Sequence, residues 1–251
     1  MPDFSTQSAL YAKFRPKYPK ELYDFIFSHI KNFGSAWDVG TGSGQVAAEL
    51  SKRFDDVIAT DSSEQQLRKA AKRANIIYRL ESAESTEIPD HSIDLITVGQ
   101  ALHWFDIHLF FKEVNRVLKP GGMIAIIGYG VFSSEAEVDR IVNNFYTLTI
   151  DKYWDPQRKY IDEGYKTIPF PFQQIEAPEF KMEFQWTAAE LIGYLQSWSA
   201  VQAYKKENGQ DPVEAIIPEL NAAIPSKVNI RFPLLFKIGT VSNEISAGFS
   251  R

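Results

Sequence analysis

The chain has 251 residues, of which 44% are hydrophobic and 24% charged, a balance that belongs to a folded globular protein with one large core or a core plus a cap. Its 27 Lys and Arg against 32 Asp and Glu give a formal charge of -5, which offers no attraction to nucleic-acid phosphates or an anionic membrane surface. With no cysteine in the sequence, disulfides, thiolate nucleophiles and Cys-ligated zinc are excluded.

In chain order, Leu22, Tyr23, Ile26, Phe27 and Ile30 repeat with helical spacing. The apolar run Ala36-Trp37-Asp38-Val39 then reads as a buried strand that ends in glycines. A helix carrying Val46, Ala47 and Leu50 follows, then a strand Val57–Thr60, a helix around Glu64–Arg73 and a strand Ile76–Leu80. Past the turn residues Pro89-Asp90-His91-Ser92, Ile93–Val98 is a fourth strand. A helix from Ile107 to Leu118 should stop at Lys119-Pro120-Gly121-Gly122, because proline disfavours helix before it and glycine accepts positive φ; Met123–Ile127 is the fifth strand. Alternation at this spacing predicts an α/β fold, a Rossmann-like doubly wound, mostly parallel sheet.

Beyond Gly130 the regularity weakens. The Pro- and aromatic-rich stretch Asp151–Pro178 reads as a helical or irregular lid. Phe180–Trp186 reads as a strand, Ala188–Lys206 as a helix, Asp211-Pro212 as the start of another helix, and Val228–Gly239 as a last, antiparallel strand. The expected organisation is an N-terminal cap helix segment over 1–34, a nucleotide-binding core over 35–130, a lid or substrate region over 131–180, and a C-terminal completion of sheet and cap over 181–251. No apolar run approaches the ~20 residues that span a bilayer, and the N-terminus lacks a signal-peptide core, so the expectation is a cytoplasmic protein without membrane association.

The sharpest signal is Asp38-Val39-Gly40-Thr41-Gly42-Ser43-Gly44 between a strand and a helix, where glycines at alternate positions let the backbone approach a ligand. Asp61 ends the next strand, where an acidic side chain in such folds accepts from ribose hydroxyls. A dinucleotide fingerprint is spaced G-x-G-x-x-G; here it is G-x-G-x-G, which opposes a nicotinamide-dependent oxidoreductase. Asp38 would repel a pyrophosphate and attract the ammonium of a methionine moiety. This arrangement also speaks against a non-catalytic binding module, which has no physical need of it.

These residues resemble the class I S-adenosylmethionine-dependent methyltransferases of the small-molecule type, with a methyltransferase type 11 domain. The likeness is strong over 36–130, including Ser82-Ala83-Glu84 and Arg116-Val117-Leu118-Lys119-Pro120-Gly121-Gly122. Within the class the chain resembles the trans-aconitate methyltransferases of fungi and their plant relatives, through Arg15-Pro16-Lys17-Tyr18-Pro19, His103-Trp104-Phe105-Asp106 and Gln196-Ser197-Trp198-Ser199-Ala200. The resemblance implies a seven-stranded sheet that binds S-adenosylmethionine, with Gly40 and Gly42 under the methionine, Asp61 on the ribose, Ala83 and Glu84 around the adenine, and Gln100 by the methionine or sulfonium end. Tyr11, Arg15, Asp38, Thr41 and Ser62 complete the expected cofactor set. Where the family often has Asp, this chain has Ser82, so Glu84 or Glu81 is the expected substitute.

A sulfonium methyl is already activated, so the protein must hold a nucleophile in line and exclude water; no metal is expected. A carboxylate acceptor is ionised at neutral pH and needs a cationic partner rather than a base. Arg158, with Tyr153 and Tyr160 nearby in sequence, is the first candidate, and Arg15 the second. Tyr18, Trp104 and Trp198 are candidate walls of the acceptor pocket, each equally at home in a core. His103, after the fourth strand, could deprotonate a hydroxyl or nitrogen acceptor instead. The expected partner is a small organic acid, not nucleic acid, bound by a monomer or homodimer.

Overall fold

The computed structural model describes residues 14–241. They fall into two compact units: a core unit of residues 19–129, 160–180 and 234–241, and a cap unit of residues 14–18, 130–159 and 181–233. The strands are β1 (Ser35–Val39), β2 (Asp56–Asp61), β3 (Ile76–Leu80), β4 (Ile93–Gly99), β5 (Leu118–Tyr129), β6 (Gln173–Gln174), β7 (Met182–Trp186), β8 (Val228–Phe232) and β9 (Leu234–Thr240).

In the core unit, seven strands form one sheet in the order β3-β2-β1-β4-β5-β9-β6. β1 to β5 are parallel, whereas β9 runs antiparallel to β5 and β6 antiparallel to β9. The predicted doubly wound fold is therefore observed. Strand order reverses between β1 and β4, which is where open α/β sheets leave a ligand crevice beyond the strands' C-terminal ends. Trp37, Val39, Ile96, Val98, Ile124 and Ile126 are fully buried, as central strands covered on both faces require. The core unit's helices are α1 (Lys20–Ser28), α2 (Gln45–Leu50), α3 (Glu64–Leu67) and α4 (Ile107–Val117). α4 is N-capped by Asp106, whose carboxylate accepts from Leu109 N at 3.0 Å, and buries Phe110, Val114 and Val117.

Four elements differ from the sequence reading. α3 ends at Leu67 instead of continuing to Arg73: Lys69 N and Ala70 N turn back to Gln66 and Leu67 carbonyls, and the Tyr78 hydroxyl donates to Ala71 O. β5 starts at Leu118, with the Pro-Gly-Gly stretch absorbed as a register shift between the Ile93 and Leu95 pairings. The helix expected over Ala188–Lys206 breaks into α7 (Ala188–Gln196) and α8 (Ser199–Asn208), because Ser197 N and Trp198 N make tight-turn bonds and Trp198 is extended. The strand expected over Val228–Gly239 splits at Pro233, which has no N–H to continue a ladder. Only β9 enters the main sheet; β8 pairs with β7 in a separate two-stranded sheet of the cap unit.

The cap unit also carries α5 (Ala136–Asn144), a π-helical turn Phe145–Thr149, 3-10 turns Asp151–Tyr153 and Pro156–Arg158, and α9 (Ile217–Ala223). The short α6 (Lys159–Asp162) falls at its boundary. Phe132, Tyr194 and Phe232 pack edge-on at its centre, with ring centroids 5.4–6.0 Å apart.

Candidate active site

The loop after β1 is shaped by its carboxylates. Gly40 and Gly42 adopt φ of 63° and 56°, left-handed conformations that a side chain would strain. Asp38 is buried beneath them and accepts from Thr41 Oγ1 (2.6 Å), Ala47 N (3.0 Å) and Thr97 Oγ1 (2.8 Å), joining β1, the loop, the first turn of α2 and β4. Burial pushes its carboxyl up to about 6, with the three hydrogen bonds acting in the opposite direction. Asp38 is thus the organiser of the loop.

Asp61, at the end of β2, accepts from Gly42 N and Ser63 N, each at 2.8 Å. Its carboxyl is also raised by burial, against the pull of those two N–H groups. One aspartate therefore holds the glycine loop and the start of the next helix at a fixed separation, and each oxygen keeps a lone pair for a ligand hydroxyl. A Cβ built on Gly42 would meet nothing within 4 Å, whereas one on Gly40 would lie 2.6 Å from Ala101 Cβ. Gly42 thus presents bare backbone to open space, a cradle that suits the methionine part of the expected cofactor.

After β3, Ser82 and Ser85 close a narrow turn around buried Ala83. Glu84 accepts from Asp106 N at 3.0 Å and so joins this turn to α4. Glu81 is the more available acid: its Oε2 is buried and has no hydrogen-bond partner among the described residues. Such an orphaned acceptor suits an adenine amino group. Ser62 is exposed beside Asp61.

At the end of β4, Gln100 has φ of 54°, and its side-chain amide is engaged on both sides by Tyr129, accepting from its N–H (2.7 Å) and donating to its carbonyl (3.0 Å). That amide bridges β4 to β5. His103 is buried on the 3-10 turn Leu102–Trp104, with Nδ1 3.1 Å from the Tyr165 hydroxyl. Trp104 is half-buried, its ring 4.6 Å from the imidazole. Tyr165 was not anticipated; no spacing rule ties it to a residue 62 positions away.

The remaining candidates lie in the cap unit, except Tyr11, which falls outside the described residues. Arg15 is half-buried and Tyr18 buried. Arg158 lays its guanidinium over the Trp154 ring at 4.7 Å. Trp154 in turn packs on Tyr146 (5.1 Å) and Trp198 (5.6 Å), and its Nε1 is buried without a hydrogen-bond partner among the described residues. Tyr153 is a brace, accepting from Asn208 Nδ2 at 2.9 Å and packing on Tyr204. Trp198 is buried against Phe145, Tyr146 and Tyr194. Trp154 and Tyr146 were missed, because an irregular segment shows no periodicity from which contacts can be read.

Among the described residues, no helix is long and apolar enough to cross a membrane. Residues 37–126 match a methyltransferase domain family. A Dictyostelium discoideum protein described as a methyltransferase is 36% identical over 225 residues, covering 88% of this chain and 84% of its own length. An uncharacterized methyltransferase of Schizosaccharomyces pombe is 33% identical over 232 residues, with 90% of each chain covered. A solved Anaeromyxobacter dehalogenans structure, described as a type II methyltransferase, superposes with a TM-score of 0.81 at 36% identity, covering 90% of this chain and 98% of that one. With the glycine cradle and the acid beside it, these likenesses make the chain a member of the class I S-adenosylmethionine-dependent methyltransferases.

Proposed function

We propose that this enzyme methylates a carboxylate oxygen of a small organic acid. The observation that carries this reading is Arg158 stacked on Trp154, beside a buried indole N–H that has no acceptor among the described residues. A guanidinium offers two parallel donors matched to a carboxylate, and stacking on an aromatic face holds its plane before the ligand arrives. An indole N–H kept from water is a further donor whose best partner is an anionic oxygen. The cofactor supplies an activated methyl group. The chain's own residues then have two tasks: in the core unit the Gly42 backbone and Asp61 hold the donor, and in the cap unit Arg158 and Trp154 bind the acid. The resemblance to trans-aconitate methyltransferases points to the same acceptor class.

The competing reading, methylation of a hydroxyl or nitrogen with His103 as base, draws on the burial of that imidazole at the C-terminal end of β4. The test is a methyl-transfer screen over small mono-, di- and tricarboxylic acids, with phenols and amines in parallel. The expected product is an ester that releases methanol in mild alkali. Alkali-stable products alone would overturn the carboxylate reading, and loss of the acidic limb of the pH profile in His103→Ala, together with most of the activity, would establish its rival.

A further inference from the structure

Only three non-glycine residues among those described have positive φ: His91, Gln100 and Tyr165. A tyrosine in that region carries backbone strain, which persists where the surroundings impose it. The Tyr165 backbone is held on both sides: its N–H donates to Tyr160 O at 2.7 Å, and its carbonyl accepts from Lys237 Nζ at 2.9 Å. The ring is 1% exposed and lies on the backbone of β5, where a Cβ on Gly128 would stand 2.9 Å from its Cε2. Strand, lysine and turn thus converge to place one phenol, and its hydroxyl meets His103 Nδ1 at 3.1 Å with the two rings inclined by 26°. Packing alone would be served as well by phenylalanine.

We propose that Tyr165 is a positioning residue for His103: its hydroxyl donates to Nδ1 and holds the neutral imidazole with its proton on Nε2. A phenol is a stronger donor than acceptor, and the unprotonated imidazole nitrogen a stronger acceptor than a phenol oxygen, so this direction is the favoured one. The tautomer decides the chemistry. With the proton on Nε2 the ring can orient an acceptor oxygen but cannot take a proton there; with the proton on Nδ1 the same ring would be a base. The assignment of a donor role rests on the carboxylate reading, whose acceptor needs no base. The positioning role does not.

The decisive measurement is the imidazole nitrogen spectrum of the full chain labelled with 15N-histidine, with His103 assigned through His103→Asn and the other three histidines as internal references. The wild-type protein should show His103 in the Nε2–H form at neutral pH. Tyr165→Phe, which keeps the ring and removes the hydroxyl, should give a mixture of tautomers with unchanged adenosylhomocysteine affinity. In methyl transfer to an acid from the screen, Tyr165→Phe should lower kcat/KM for the acceptor about tenfold and leave the KM for S-adenosylmethionine unchanged. In a His103→Asn background it should have no further effect, as residues acting as a unit require. A wild-type Nδ1–H form, or a His103 spectrum identical in Tyr165→Phe, would overturn the proposal. Should the screen yield no ester while the tautomer responds, the carboxylate reading falls and the positioning role stands.

Discussion

The cofactor crevice of the core unit and the aromatic cluster of the cap unit are built on opposite logics. In the crevice, the proposed recognition surface is backbone: left-handed Gly42 leaves open space above it, and two aspartates, one beneath the loop and one beside it, fix the loop's shape. In the cap, the proposed recognition falls to side chains carried by short turns, with Arg158, Trp154, Tyr146 and Trp198 packed in one cluster. A backbone site demands particular residues at particular spacings, because geometry admits no others. A side-chain site can be assembled from distant segments and altered by single substitutions without disturbing the fold. One cofactor with variable acceptors is the natural use of such a division.

If the crevice works through its acids, the largest effect should come from Asp61→Ala. It orphans the N–H groups of Gly42 and Ser63 and removes charge-assisted bonds to the ligand, each worth roughly 1.5–3 kcal/mol. Adenosylhomocysteine affinity measured by calorimetry should fall by about 10²–10³-fold. A change below threefold would show that the ribose is held elsewhere.

Asp38 provides the next test, with a definite sign. Its folded-state carboxyl is raised to about 6, against about 3.9 in an unfolded chain. As pH rises, the unfolded chain releases this proton first, so the folded state loses stability between roughly pH 4 and 6 and loses no more above that. The shift is equivalent to about 3 kcal/mol. Asp38→Asn keeps an oxygen for Thr41 and Ala47, and the Thr97 hydroxyl can turn to accept from the new amide. Urea unfolding across that window should therefore be flatter in the variant. An equal slope would place the titration on other groups.

A glycine pair separates folding from binding within the crevice. Gly42→Ala adds a methyl group in open space at a left-handed position, so it should cost about 1 kcal/mol of stability while weakening adenosylhomocysteine about 10–30-fold. Gly40→Ala, whose methyl would meet Ala101, should lose more stability than Gly42→Ala in the same thermal scan. Equal melting losses with intact binding by Gly42→Ala would mean that the open space above the loop is not the cradle.

What could be read beforehand follows the same division. β1, β4 and the loop around Gly40 and Gly42 were legible because buried parallel strands are continuous apolar runs and a tight crossover requires glycine. The break at Ser197-Trp198 and the split at Pro233 were not, since both flanking segments keep their own periodicity and the interruption depends on what packs around it. Asp61 was visible from its position at a strand end. Gln100 was placed correctly on the chain, yet its amide proved to be engaged by Tyr129, a pairing that requires β4 and β5 to be side by side. Tyr165 and Trp154 carried no signal, because a single aromatic in an irregular stretch has no pattern to betray its contacts.

The smallest effect is the one that tests the cap. Arg158→Lys keeps the charge but replaces a planar fork with a point donor, and it gives up the flat stack on Trp154. If Arg158 recognises the acid, the acceptor KM should rise about tenfold, equivalent to roughly 1.4 kcal/mol, while the KM for S-adenosylmethionine and the melting temperature hold. Retained charge makes the comparison stringent: a general electrostatic role would survive the exchange, and only bidentate geometry would be lost. Equal increases in both KM values would mean that Arg158 supports the architecture of the enzyme rather than its choice of acceptor.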